Sequence, residues 1–257
     1  MLVFVGMGLN DEKDISLKGL EEARSADVLF AEFYTSYMSV GTKEFESLIG
    51  REITVLKRED VEEKEEVILR PAADSKVVLL VPGDPLISTT HIHLRIEAKR
   101  RGIETRIIHS ASIVSAAASL SGLQNYKFGR SASVAIPETG FTPETPYDVL
   151  RENLERGLHT LLFLDVKVKD GKAEYLTANR AIGILLDIEE RRGEDVFPPN
   201  RLCVVLARAG SANPTLKAGI AGALMKEDSG SPPHTLIVPG RLHFMEEEYL
   251  KEFGGLG

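Results

Sequence analysis

Three short stretches of the sequence combine residue types that can hold a small molecule. Gly6-Met7-Gly8 follows directly on an apolar run, and glycine's missing Cβ lets a ligand lie against the backbone. With Glu32 closing the next apolar run, the spacing can be read as a dinucleotide-binding turn and its ribose-binding acid. Asp11, however, stands where the third glycine of that fingerprint belongs, with Glu12 and Asp14 close behind. Three carboxylates repel a pyrophosphate and fit better as caps and first-turn residues of a helix. The glycines alone are compatible with a structural turn or a ligand loop.

Pro82-Gly83-Asp84-Pro85-Leu86-Ile87-Ser88 follows the strongest apolar run, at the strand end where open α/β sheets bind ligands. Two prolines around a flexible glycine hold Asp84 and several backbone groups in one shape. A plain strand-to-helix turn needs only one proline, which favours a ligand site. From His109 to Ala118, small side chains open a helix and leave backbone N–H groups accessible, although close helix packing explains them as well. His91-Ile92-His93 does not suit a metal, because i and i+2 positions of a helix do not share a face. Cys203, the one cysteine, lies inside the apolar run Leu202–Leu206 and is read as a core thiol. It rules out an internal disulfide. No Gly-x-Ser-x-Gly or Gly-Lys-Ser/Thr pattern supports a hydrolase or a nucleoside triphosphatase. The run Glu62–Glu66 reads as a solvated helix face.

The elements that must position these residues alternate between short apolar runs and amphipathic stretches. Strands are expected at Leu2–Val5, Val28–Ala31, Ile53–Leu56, Val77–Val81 and Thr105–Ile108, with helical connectors between them. That is the pattern of βαβ units and a parallel sheet. Further strands are expected at Ala132–Ile136, Thr160–Asp165, Leu202–Arg208 and Thr235–Val238. Helices are expected around Tyr147–Arg156, Ala178–Arg191, Leu216–Lys226 and Met245–Phe253. The fold class is α/β, with two α/β domains over residues 1–110 and 111–257 and a ligand cleft expected between them. At 257 residues, 43 % hydrophobic and 27 % charged, the chain can bury a core without staples. A net charge of −8 argues against a uniformly basic nucleic-acid surface. No apolar run reaches the ~18 residues of a membrane span, and the N-terminus lacks the charged region of a signal peptide. A soluble cytoplasmic protein, with neither nucleic acid nor membrane as partner, is expected.

Several runs together carry a resemblance over essentially the full chain. They are Gly6-Met7-Gly8-Leu9, Ala31-Glu32-Phe33-Tyr34-Thr35-Ser36, Pro82–Ile87, Gly122–Gly129, His159–Asp165, Ala207-Arg208-Ala209-Gly210-Ser211 and Pro233–Gly240. In these the sequence resembles the diphthine synthase family of the tetrapyrrole methylase superfamily. The Gly-Asp-Pro turn is shared with the whole superfamily. Tyr34-Thr35-Ser36, Tyr126-Lys127-Phe128-Gly129 and the Ala-Arg-Ala-Gly-Ser run point to the narrower family.

The resemblance implies a tetrapyrrole methylase-like architecture, with a mostly parallel N-terminal sheet, a mixed C-terminal sheet and the cofactor cleft between the domains. It implies an S-adenosyl-L-methionine-dependent methyltransferase, usually a homodimer, that releases S-adenosyl-L-homocysteine. Its substrate is a 3-amino-3-carboxypropyl-histidine of translation elongation factor 2, trimethylated to diphthine. Matching cofactor positions here are Leu9, Asp84, Ile87, Ser112 and Ile113, with Phe163, Leu164, Ala207 and His234 in the second half. Tyr34, Lys127 and Arg208 are candidate substrate contacts, as cage or carboxylate anchor, with Phe33, Tyr126 and Arg130 beside them. Methyl transfer needs no metal and no nucleophilic residue, and water can accept the released protons, so no catalytic side chain is assigned. The competing readings are a tetrapyrrole methyltransferase of the same superfamily and a non-catalytic Rossmann-like nucleotide-binding protein.

Overall fold

Leu2-Val3-Phe4-Val5 and Val77-Val78-Leu79-Leu80-Val81 show no polar alternation, so both faces of each strand must be covered. A computed structural model, describing residues 1–138, 141–169 and 172–257, shows how this is done. The chain divides into two units, Met1–Ile113 and Val114–Gly257.

The first unit runs β1 (Leu2–Gly6), α1 (Leu17–Arg24), β2 (Val28–Glu32), α2 (Thr42–Ile49), β3 (Thr54–Leu56), α3 (Arg58–Glu62), α4 (Glu66–Asp74), β4 (Val77–Val81), α5 (His91–Arg100) and β5 (Thr105–Ile108). Its strands form one parallel sheet in the order β3-β2-β4-β1-β5. Alternate residues of the central strands serve two different cores. Leu2, Phe4, Val77, Leu79 and Val81 pack with Ile68, Leu69 and Leu94 from α4 and α5. Val3, Val5, Val78 and Leu80 pack with Ala23, Phe45 and Ile49 from α1 and α2. Each such side chain contributes about 1.5–3 kcal/mol on burial, which is why the runs are continuous rather than alternating. The adjacent strands β1 and β4 send their helical connections in opposite directions, to β2 and to β5. That reversal opens a crevice at their carboxyl ends.

The second unit comprises α6 (Ile113–Ser121, which begins on the last residue of the first), β6 (Ala132–Val134), α7 (Thr145–Glu155), β7 (Thr160–Leu164), β8 (Val166–Lys169), β9 (Lys172–Tyr175), α8 (Ala178–Arg192), β10 (Leu202–Ala207), β11 (Thr215–Ile220), α9 (Ala221–Leu224), β12 (His234–Val238) and α10 (Phe244–Gly254). Its main sheet has the order β11-β10-β12-β7-β6, parallel only between β6 and β7. Tyr147, Leu150, Ile182 and Leu185 from α7 and α8 cover Leu162, Val205, Leu236 and Cys203, whose thiol is buried in that core. No helix among the described residues is long and apolar enough to cross a membrane.

The structure corrects two expectations and adds one element. The helix expected over 216–226 is instead strand β11 followed by the single turn α9. Gly219 and the β-branched Ile220 interrupt the helical pattern, and β10 takes this segment as its antiparallel edge partner. The β8–β9 hairpin was not anticipated from the sequence. The acidic run 62–66 is not one helix face but the joint between α3 and α4, where Glu65 and Glu66 both pair with Arg101.

One buried carboxylate ties the second unit together. Glu246, in the first turn of α10, is fully buried. Its Oε1 accepts from the Gln124 N–H (2.8 Å) and from His159 Nε2 (3.0 Å). Its Oε2 accepts from the His243 N–H (2.7 Å) and from Lys127 Nζ. His159 Nδ1 in turn accepts from the Gly240 N–H (3.0 Å), which places the ring proton on Nε2. Burial pushes the Glu246 carboxyl up, but the backbone N–H groups, Lys127 and His159 outweigh it and bring the pKa down to about 2. Glu246→Gln strands the Lys127 charge and is expected to cost about 3–5 kcal/mol. The carboxylate's contribution is complete above about pH 4.5, the ordinary value, and is lost as the pH falls towards 2. Denaturant melts of wild type and variant at pH 7 and pH 3 should therefore show a gap that closes on acidification.

Candidate active site

Gly6, the last residue of β1, sits where a side chain has no room. A Cβ there would lie 2.5 Å from the Gly83 carbonyl oxygen and 2.7 Å from Ser110 Cβ. The ends of β4 and β5 therefore close over the end of β1. The turns after β1 and β4 lock together through the Met7 N–H to Val81 O (2.8 Å) and the Gly83 N–H to Gly8 O (2.7 Å). Across the closed end, Asp84 and His109 meet, with Asp84 Oδ2 2.7 Å from His109 Nδ1. Asp84 is buried, whereas the His109 side chain is 74 % exposed. Gly83, at φ +70°, has open space on its Cβ side, and Ile87 stands half-exposed farther along the same turn.

The polar groups around this crevice do not suit a pyrophosphate. The N–H groups of Leu9 and Asn10 already donate to Asp14 Oδ2, at 3.2 and 2.7 Å. Gly8 is fitted against Asp14, whose Cβ would lie 2.3 Å from any Cβ placed there. Asp11 caps the single turn 12–14 by accepting from the Lys13 N–H (2.9 Å). The acids are turn-builders, as their positions suggested. Glu32 is also spoken for. It is fully buried, and its Oε2 accepts from the N–H groups of Tyr34 (2.9 Å) and Thr35 (3.0 Å) while its Oε1 accepts from the Thr35 hydroxyl. Burial pushes its pKa up to about 7 against those bonds. It has no face left for a ribose. His91 lies behind it, with Nε2 3.8 Å from Glu32 Oε1, and burial pulls its pKa down to about 4. His93, two residues on, is exposed.

The candidate cofactor positions gather into one group in each unit. Leu9, Asp84, Ile87, Ser112 and Ile113 follow β1, β4 and β5 at the carboxyl edge of the first sheet. Phe163, Leu164, Ala207 and His234 lie along one edge of the second sheet, since Ala207 pairs with His234 and Thr235 with Phe163. The His234 ring works as a staple. Its Nδ1 accepts from the Ala178 N–H (3.1 Å) at the start of α8, so Nε2 carries the proton and donates to Gly230 O (3.0 Å). Burial lowers its pKa.

The substrate candidates are scattered. Arg208 lies at the same edge as Ala207, but its guanidinium holds the 229–231 loop through Ser231 O (3.1 Å) and bonds Thr215 Oγ1 (2.5 Å). Lys127 is at the opposite edge, where β7 begins, engaged by Glu246 and by Arg241 O (2.7 Å). Tyr34 is buried in the first unit's core, with the Arg58 guanidinium 5.1 Å over its ring. Two functional features were not assigned from the sequence, the Asp84–His109 pair and the Glu246 node. Each joins residues brought together by strand order, for which sequence spacing carries no signal.

The chain matches the family of tetrapyrrole (corrin/porphyrin) methylases over residues 1–224. It is 50 % identical to a diphthine synthase of Methanocella arvoryzae, covering 100 % of this chain and 99 % of that protein. It is 45 % identical to one of Methanocaldococcus jannaschii, covering 98 % of each. The chain belongs to the diphthine synthase family of the tetrapyrrole methylases. A crystal structure of a diphthine synthase superposes with a TM-score of 0.90 at 40 % identity, over 100 % of this chain and 96 % of that one. A crystal structure of a putative diphthine synthase from Entamoeba histolytica gives 0.92 at 34 % identity, over 99 % and 98 %. Members of this family are methyltransferases, and the crevice chemistry agrees with that. Given the contacts over Gly6, Gly6→Ala must part the ends of β4 and β5. The substitution is expected to cost about 1–3 kcal/mol as overpacking. Thermal melts of the variant should show a fall of about 2–4 °C per kcal/mol.

Proposed function

We propose that this chain is a cytoplasmic homodimer that trimethylates the amino group of the 3-amino-3-carboxypropyl-histidine of translation elongation factor 2, with S-adenosyl-L-methionine as donor. The observation that carries this is identity of 45–50 % with diphthine synthases along nearly their whole length. The residues present fit that donor. Its sulfonium is cationic, and the crevice offers the Asp84 carboxylate, open space at Gly83 and the apolar Ile87, while its turn N–H groups are already bonded. Leu9, Asp84, Ile87, Ser112 and Ile113 would hold it from the first unit, and Phe163, Leu164, Ala207 and His234 from the second.

When bound, the donor supplies an activated methyl group. The chain's own task is to fix the amine in attack geometry and keep competing water away, which can supply roughly 7–11 kcal/mol of the barrier reduction. Lys127 is committed to Glu246 and Arg208 to the 229–231 loop, so the exposed Arg130 or a backbone N–H is the better anchor for the substrate carboxylate.

Mass spectrometry of the elongation factor bearing the unmethylated side chain tests the reading. Incubation with the protein and S-adenosyl-L-methionine should add three methyl groups to that one histidine. An unchanged mass, under conditions in which the protein binds S-adenosyl-L-homocysteine, would assign it another substrate.

A further inference from the structure

Trimethylation of an amine is also a proton-transfer problem. A primary alkylamine is an ammonium at neutral pH and has no lone pair to offer. Each of the three rounds must remove one proton before or after the methyl arrives. Resting on the function proposed above, we propose that His109, oriented by Asp84, is the group that takes those protons.

The geometry has the parts that such a base needs. Asp84 Oδ2 lies 2.7 Å from His109 Nδ1, so the carboxylate holds the Nδ1–H tautomer and turns the Nε2 lone pair outward. The carboxylate is buried and fixed by the two-proline turn, so it orients the ring rather than following it. The imidazole itself is largely exposed. It can hand each proton to water and be ready for the next round, which a buried base cannot do. The pair spans the closed end of β1, among the candidate cofactor positions Leu9, Asp84, Ile87 and Ser112.

The charged group that meets the His109 ring is the Asp84 carboxylate, from the turn after β4. Asp14, from the turn after β1, reaches this side only through its backbone carbonyl, which accepts from the Ser110 hydroxyl (3.1 Å), while its carboxylate is taken by the N–H groups of Leu9 and Asn10. The Asp84 carboxylate sits against the ring that carries the proton in transit. In each step an N–H bond of the substrate ammonium breaks, its electron pair stays on nitrogen, and the proton bonds to His109 Nε2. Loss of the proton to solvent restores the neutral ring. This departs from the expectation that water alone suffices.

The test uses His109→Asn, whose amide N–H can replace Nδ1–H towards Asp84 but which has no base at Nε2. Affinity for S-adenosyl-L-homocysteine should stay within about twofold of wild type. At pH 7 the turnover rate should fall by about 10²-fold or more, within the 10²–10⁴ range of general-base catalysis. The deficit should shrink as the pH rises from 7 to 9 and the amine deprotonates unaided. Independently of activity, ¹⁵N NMR of the wild-type imidazole should show the proton on Nδ1, and Asp84→Asn should shift that tautomer balance. A variant with wild-type rate and pH profile overturns the proposal. So does one that loses cofactor affinity in step with rate, because His109 would then only position Asp84. If the wild-type protein methylates nothing on the elongation factor, the proposed function fails and takes this role with it.

Discussion

The close approach of three chain segments over Gly6 is the constraint on which the rest of the first unit's chemistry depends. A parallel sheet presents its carboxyl ends as separate loops, and nothing in the ladder itself brings the residue after β4 to the residue after β5, because β1 lies between them. With hydrogen in place of a side chain at Gly6, Gly83 O and Ser110 pack directly over the β1 end. Asp84 and His109 can then touch across it. The same closure leaves Gly83 bare on its open side. Packing, local electrostatics and the candidate chemistry are thus one arrangement.

Charge placement explains why a chain that opens like a dinucleotide-binding protein is not built as one. In such sites the N–H groups of the glycine turn face a pyrophosphate. Here Asp14 occupies the N–H groups of Leu9 and Asn10, and the fully buried Glu32 accepts three hydrogen bonds from the 34–35 turn. What remains at the crevice is anionic and apolar, which suits a cationic ligand without a cluster of Lys or Arg. The second unit uses its buried charges differently. Glu246, Lys127 and His159 satisfy one another inside the fold and bind three segments, 124–127, 159 and 243–246, together.

How much of this the sequence reveals depends on the range of the interaction. Continuous apolar runs such as Leu2–Val5 and Val77–Val81 announce two-sided burial, and all five strands of the first sheet lie where those runs stand. The acids at 11, 12 and 14 are legible as turn-formers because capping is local. The segment 215–220 is misleading because its leucine, lysine and alanine fit a helix as well as a strand, and only the need of β10 for an edge partner decides. Strand order is not written locally at all. Asp84 is recognisable as a ligand-turn residue, but its partner 25 positions away is fixed by β4 and β5 flanking β1. Lys127 shows the same limit from the other side, since a lysine in a family-specific run proves to be committed to Glu246, more than a hundred residues later.

The most direct test of the account is a thermal-shift comparison of S-adenosyl-L-homocysteine with NAD, each in large excess over the wild-type protein. A ligand at about 100 times its Kd stabilises the fold by roughly 2.7 kcal/mol. For a chain of this size each kcal/mol raises Tm by about 2–4 °C. The account predicts a rise of that order with S-adenosyl-L-homocysteine and none with NAD. A rise with NAD alone would mean that the glycine turn accepts a pyrophosphate despite Asp14, and the methyl-transfer reading would be contradicted.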